Sequence, residues 1–212
     1  MKKGLFIVVD GPSASGKDSV ITQVLKDLEN LGLKAVSIEE TKEENYDRKR
    51  ILLAKDQGDK EAAETIINER AKIYEEKVTP QLANGTIVIA NRGEPSTLSY
   101  QTLYGLTMQN VWEMHRTQDI PLPDLVVITN CSVSEAVRRE GLRKISFEEK
   151  NKDFLSGKFT TLEKRKRIHE NYEKTKDFLE KKGITVIYLD TDKMNVPQVC
   201  KKIISFIKGK LG

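Results

Sequence analysis

The stretch Leu5-Phe6-Ile7-Val8-Val9-Asp10-Gly11-Pro12-Ser13-Ala14-Ser15-Gly16-Lys17-Asp18-Ser19 decides how the rest of the chain is read. Its first part is a short apolar run rich in β-branched residues, the pattern of a buried strand. Its second part is G-x-x-x-x-G-K, and an amphipathic run from Val20 to Leu31 follows. Strand, glycine loop and helix stand in the order that a phosphate-cradling loop requires. Gly11 and Gly16 let the backbone curl so that successive N–H groups face phosphate oxygens, and the helix start adds the positive end of a dipole. The candidate nucleotide-binding residues are therefore Gly11, Ser13, Ala14, Ser15, Gly16, Lys17, Asp18 and Ser19, with Lys17 reaching the terminal phosphates as a point charge. A ligand-free glycine turn would account for the two glycines but not for the lysine. Asp18 stands where a serine or threonine ordinarily meets magnesium, and the hydroxyl comes one residue late, at Ser19.

Outward from this loop the chain alternates. Further strand-like runs lie at 34–38, 86–90, 125–129 and 184–189, separated by helical patterns at 17–31, 43–56, 60–83, 95–116, 132–140, 160–182 and 195–209. Such alternation predicts an α/β fold, a five-stranded parallel sheet with helices on both faces and ligands at the carboxyl ends of the strands. Pro80 is expected to interrupt the third helix near its end. Without repeats, low-complexity tracts or a long linker, the 212 residues read as a single domain, 1–212, with the irregular span 141–159 as a lid.

Composition narrows the class. The content is 38% hydrophobic and 32% charged, and no apolar run approaches the ~20 residues that span a bilayer, so no membrane partner is expected. Cys131 and Cys200 are far apart, without metal-ligand spacing, and suit a reducing compartment, by default the cytoplasm. The net charge of +4 is uneven: residues 138–167 carry 11 Lys/Arg against 5 Asp/Glu, whereas the remainder is slightly acidic. In a phosphate-binding chain such a segment clamps a polyanion; a nucleic-acid surface or a solvated helix face are the competing readings.

Several further motifs occur in a telling order: Asn68-Glu69-Arg70, then Val78-Thr79-Pro80-Gln81-Leu82-Ala83-Asn84-Gly85, then Asn91-Arg92-Gly93-Glu94-Pro95-Ser96-Thr97-Leu98-Ser99-Tyr100-Gln101, Pro123-Asp124-Leu125, and Arg138-Arg139. With Phe6 to Lys17 at the start, this series resembles the thymidylate kinases, within the P-loop nucleoside monophosphate kinases. The resemblance implies transfer of the γ-phosphoryl of ATP, with Mg2+, to a deoxynucleoside monophosphate, dTMP first, in a homodimer. The rival acceptors are other nucleoside monophosphates, because the loop also resembles cytidylate and guanylate kinases. A nucleotide-binding regulatory protein with little turnover is the rival of another class.

The resemblance also assigns roles. Arg92 would hold the acceptor phosphate, Arg70 the base edge, Thr97 the pyrimidine, and Tyr100 would crowd a 2′-hydroxyl, with Ser96 and Gln101 on the same helix. Arg70 reads equally as a solvated helix arginine, and Tyr100 as a core aromatic. Catalytic positive charge would come from Lys17, Arg92 and the lid arginines Arg139 and Arg143, since no arginine lies in the loop. Four positions depart from the family pattern: Asn91 replaces an aspartate, Gly93 an aromatic, Ser13 an aspartate, and Ile38 to Glu44 the segment T-R-E-P-G-G-T. Asp18 is the candidate metal ligand, with helix-start stabilisation as the competing account.

Overall fold

The apolar runs become the parallel strands β1 (Phe6–Asp10), β2 (Ala35–Ile38), β3 (Ile87–Asn91), β4 (Leu125–Asn130) and β5 (Val186–Asp190), in the sheet order β2-β3-β1-β4-β5. The computed structural model describes residues 4–44, 46–148 and 162–211. The helices are α1 (Lys17–Asn30), α2 (Arg48–Gln57), α3 (Asp59–Ile73), α4 (Thr79–Ala83), α5 (Glu94–Gln101), α6 (Met108–Arg116), α7 (Val133–Glu148), α8 (Leu162–Lys181) and α9 (Val196–Leu211). The α/β expectation and the five-stranded parallel sheet are met.

The three central strands are buried along their whole length, while β2 and β5 at the edges are only partly so. A strand covered on both faces has no polar side, which is why β1 reads as an unbroken apolar run. Its side chains alternate between two cores. Phe6 and Val8 join Ile67, Leu98, Val111, Tyr172 and Leu179 from α3, α5, α6 and α8. Leu5, Ile7 and Val9 join Val20, Val24, Leu28 and Ile203 from α1 and α9. Each such side chain contributes about 1.5–3 kcal/mol on burial.

Register then places the site. Val9 pairs with Asn91 and Asp10 with Ile128, so the carboxyl ends of β1 and β3 finish side by side. The sheet order also reverses about β1, which opens a crevice at that end.

Four helical patterns differ from expectation, the first being the run expected from 43, which becomes helical only at Arg48, capped by Asp47. The run 60–83 contains a π-helical turn at Tyr74–Val78, and Pro80 sits in the first turn of α4. The wider turn accommodates a ring that would otherwise strike the preceding carbonyl, so Pro80 redirects the helix rather than ending it. The run 95–116 divides at Gly105 (φ 94°), and Thr107 starts α6 with a reciprocal Thr107–Asn110 cap. The run expected to stop at 140 continues as α7 to Glu148. Residues 141–148 of the expected lid are therefore helical, and 149–159 lie outside the described residues.

Candidate active site

The glycine loop leaves the buried end of β1 and enters α1 through a fixed path. Gly11 (φ 152°) can only be glycine, because a Cβ there would come within 2.1 Å of the Thr129 carbonyl oxygen. Gly16 takes φ 94°, and Ala14 takes φ 61°, a left-handed conformation that costs a non-glycine residue energy. Three contacts hold that path. The Ser15 hydroxyl pairs with Thr129 Oγ1 at 2.8 Å, Thr191 Oγ1 donates to the Ser15 carbonyl at 2.9 Å, and Arg139 Nη1 donates to the Ala14 carbonyl at 3.3 Å. Ser13, Asp18 and Ser19 are exposed at the loop mouth, and Lys17 is buried at the start of α1.

Beside the loop lies a cavity of about 460 Å3. Arg70, Arg92, Ser96, Thr97, Tyr100 and Gln101, separated by up to thirty-one positions in the chain, all line it, together with Glu40, Tyr46, Ala62, Ile66 and Tyr104 among others. Every acceptor residue named from the sequence is thus in one place. Glu40, Tyr46 and Tyr104 carried no signal, since each reaches the cavity from a loop or turn.

Arg92 has φ 77°, unusual for a side chain-bearing residue. Its N–H donates to the Val9 carbonyl at 3.0 Å, and its Nη1 donates to Ser96 Oγ at 3.1 Å and lies 3.6 Å from Asp10 Oδ1. Burial alone would lower its pKa, but Tyr172 and Asp10 more than offset this, so the guanidinium stays charged. A third of the Arg92 side chain remains open to the cavity. Arg92 is thus a charged, partly exposed guanidinium on a left-handed backbone at the cavity wall.

Arg70 is buried, which rules out the solvated-helix reading. Its Nε donates to Glu40 Oε1 at 2.6 Å and its Nη1 to Thr97 Oγ1 at 2.8 Å. Burial opposes the charge, and the Glu40 carboxylate outweighs it, so Arg70 is held cationic at the cavity wall. Behind it stand His115, Glu94 and Arg116, the last two ion-paired. Tyr100 stacks edge-to-face on Tyr172 at 6.3 Å and presents its ring to the cavity.

A second polar cavity, joined to the loop through Arg139, is lined by Ser132, Ser134, Glu135, Arg138, Arg139 and Asp192. Here Arg139 is tied down: Nε donates to Glu135 Oε1 at 2.7 Å and Nη2 to the Thr191 carbonyl at 2.9 Å, besides the Ala14 contact. Glu135, accepting from both Arg138 and Arg139, is held down at about 2. Arg143 is described by its helical backbone alone, and its side chain lies outside the described residues. Ser132, Thr191 and Asp192 had not been singled out in the sequence, because the ends of β4 and β5 meet only through the sheet.

Comparison with known proteins agrees with this geometry. The family model for thymidylate kinase matches residues 9–179. The chain belongs to the thymidylate kinase family. It is 30% identical to the thymidylate kinase of Bacillus cytotoxicus, over 99% of each chain. It is 26% identical to that of Leptospira interrogans serovar copenhageni, over 82% of each, and 25% identical to the probable thymidylate kinase of Pyrococcus abyssi, over 99% and 98%. As a family member it is a nucleoside monophosphate kinase on a P-loop α/β fold, with ATP as phosphoryl donor.

Two of the departures from the family pattern, at Gly93 and Asn91, have physical accounts. A Cβ at Gly93 would meet Val8 Cγ1 at 2.9 Å and the Tyr74 hydroxyl at 3.4 Å, so the room for a side chain at 93 is taken first by Val8 and then by Tyr74. Asn91 Nδ2 donates to Asp18 Oδ1 at 3.1 Å and to Glu39 Oε2 at 3.0 Å. A carboxylate has been lost at the end of β3 and two stand around the neutral amide instead. Asp18 and Glu39 offer hard oxygen donors of the kind magnesium takes, and among the described residues no group of three or more acidic, histidine or cysteine side chains converges. Such an arrangement fits an ion that keeps waters and is completed by nucleotide phosphates rather than one caged by protein.

Proposed function

We propose that this chain transfers the γ-phosphoryl of ATP to dTMP, with the acceptor in the cavity beside the loop. The observation that carries this reading is the convergence of Arg70, Arg92, Ser96, Thr97, Tyr100 and Gln101 on that one cavity. Arg92 faces the acceptor phosphate next to the loop, Arg70 and Thr97 offer hydrogen bonds to the base, and Tyr100 closes the sugar side. Phosphoryl transfer needs little covalent help; it needs two substrates in line and positive charge where the migrating group passes. Lys17 and the loop amides hold the donor, and Arg92 neutralises the acceptor so that two anions can approach. Arg139 fixes the outer face of the loop beside the cavity available to the donor base, and Arg143, by its place in α7, is the remaining candidate for the transferring charge. Asp18, with Glu39 beside it, would hold the magnesium, which supplies charge neutralisation on the donor phosphates when bound.

Around this chemistry we place a single domain, since every described strand joins one sheet, and a cytoplasmic setting, supported by two free, buried cysteines. Among the described residues no helix is long and apolar enough to cross a membrane. The homodimer implied by the family is checked by sedimentation. The activity is tested by a coupled ADP-release assay with ATP against ribo- and deoxynucleoside monophosphates. Turnover highest with dTMP and poor with the ribo form supports the reading. Preference for another base, or equal use of both sugars, overturns the acceptor or the role of Tyr100.

A further inference from the structure

Asp10 is fully buried at the end of β1, and the chemistry above gives it no task. A carboxylate in a core is costly unless donors surround it, and here they do. Oδ1 accepts from the Gly11 N–H at 2.7 Å, the Ser96 hydroxyl at 2.8 Å and the Tyr172 hydroxyl at 2.9 Å. Oδ2 accepts from the N–H groups of Ser96 at 2.8 Å and Gly93 at 3.1 Å. Every neighbour is a donor, so an acceptor-only group is required and an amide of the same shape would set its own N–H against theirs.

These donors belong to both halves of the site. Gly11 opens the donor loop. Gly93 and Ser96 follow the left-handed Arg92 at the start of α5, and Arg92 Nη1 donates to the Ser96 hydroxyl that Asp10 holds. Tyr172 brings in α8, packs its ring against Tyr100, and closes the set from the opposite side. One carboxylate therefore ties the start of the glycine loop to the start of α5 and to α8.

We infer that Asp10 is a positioning residue for phosphoryl transfer, holding the donor loop and Arg92 in register with Tyr172 as its partner. This rests on the reading of Arg92 as the acceptor-phosphate arginine. The test is steady-state kinetics of Asp10→Asn, Tyr172→Phe and Arg92→Ala in the full chain, varying ATP and dTMP separately, with rates corrected for the folded fraction measured by circular dichroism. Misplacement by about 1 Å costs about a hundredfold in rate, so Asp10→Asn should lose about that much kcat and Tyr172→Phe about tenfold, each with both KM values within about threefold of wild type. A loss of activity that tracks only the folded fraction, or unchanged kcat in both variants, overturns the inference. If Asp10→Asn does not fold, Tyr172→Phe decides it in the same way. Full turnover in Arg92→Ala would overturn the acceptor reading beneath it, an outcome distinct from inactive Arg92→Ala with fully active Asp10 and Tyr172 variants.

Discussion

Lys17 stands at the first position of α1, buried where the loop amides converge, and no other cationic side chain belongs to the loop. Lys17→Ala should leave the fold intact, because alanine is the best helix former, while lowering kcat by about a hundredfold or more. Circular dichroism together with the coupled assay checks both halves, and near-normal turnover would sink the mechanism. Asp18 makes a different prediction. Its carboxylate meets the Asn91 amide at 3.1 Å, across from Glu39. If it holds the ion, Asp18→Ala raises the magnesium concentration for half-maximal rate. If it only stabilises the first turn of α1, the cost is about 0.3–1 kcal/mol of stability and the magnesium requirement does not move. A magnesium titration of the variant separates the two.

At the scale of elements, the break between α5 and α6 matters most to the site. A continuous helix over 95–116 would carry His115 and Arg116 away from the cavity beside the loop; Gly105 and the cap at Thr107 turn the chain back so that they pack behind Arg70 and Glu94. Thr107 Oγ1 accepts from the Asn110 N–H at 3.1 Å, and the Thr107 N–H in turn donates to Asn110 Oδ1 at 3.2 Å. Thr107→Ala should therefore cost about 0.5–2 kcal/mol in urea unfolding, with kcat near wild type because no substrate contact is lost. Unchanged stability would show that packing, not the cap, holds the start of α6.

For the whole molecule, both histidines are buried, and burial lowers the pKa of each, His115 well below 6.5 with Arg70 and Arg116 adding to the effect. The unfolded chain takes up these protons as pH falls through about 6.5, whereas the folded chain takes them up only at lower pH, His115 lowest of all, so stability drops on acidification and is insensitive to these groups above that range. Each proton contributes a slope of up to about 1.4 kcal/mol per pH unit. Urea unfolding between pH 7 and 5.5 should show this fall, and His115→Asn should remove about one proton of slope. Stability that stays flat over that interval would contradict the burial account.

What the sequence alone determined is what local pattern can encode. Unbroken apolar runs mark strands covered on both faces, and G-x-x-x-x-G-K between a strand and a helix marks a loop shaped for phosphate, because those constraints act between residues a few positions apart. Arg92 was legible through the resemblance of Asn91 to Gln101 to a thymidylate kinase motif, and its place just after a buried strand agreed with that reading. The tertiary structure decided the rest. Asp10 was legible only as the residue standing for the glutamate of the family's first motif, with no partner in view, and nothing near Tyr172 in the sequence marks it. Only when β3 pairs with β1 and α8 packs over both do five donors surround one carboxylate. The same holds for Glu39, Asp18 and Asn91, and for Glu40 on Arg70. Charges so far apart in the chain acquire partners only when the sheet fixes its register, since an ionic contact depends on distance in space and leaves no periodicity along the chain.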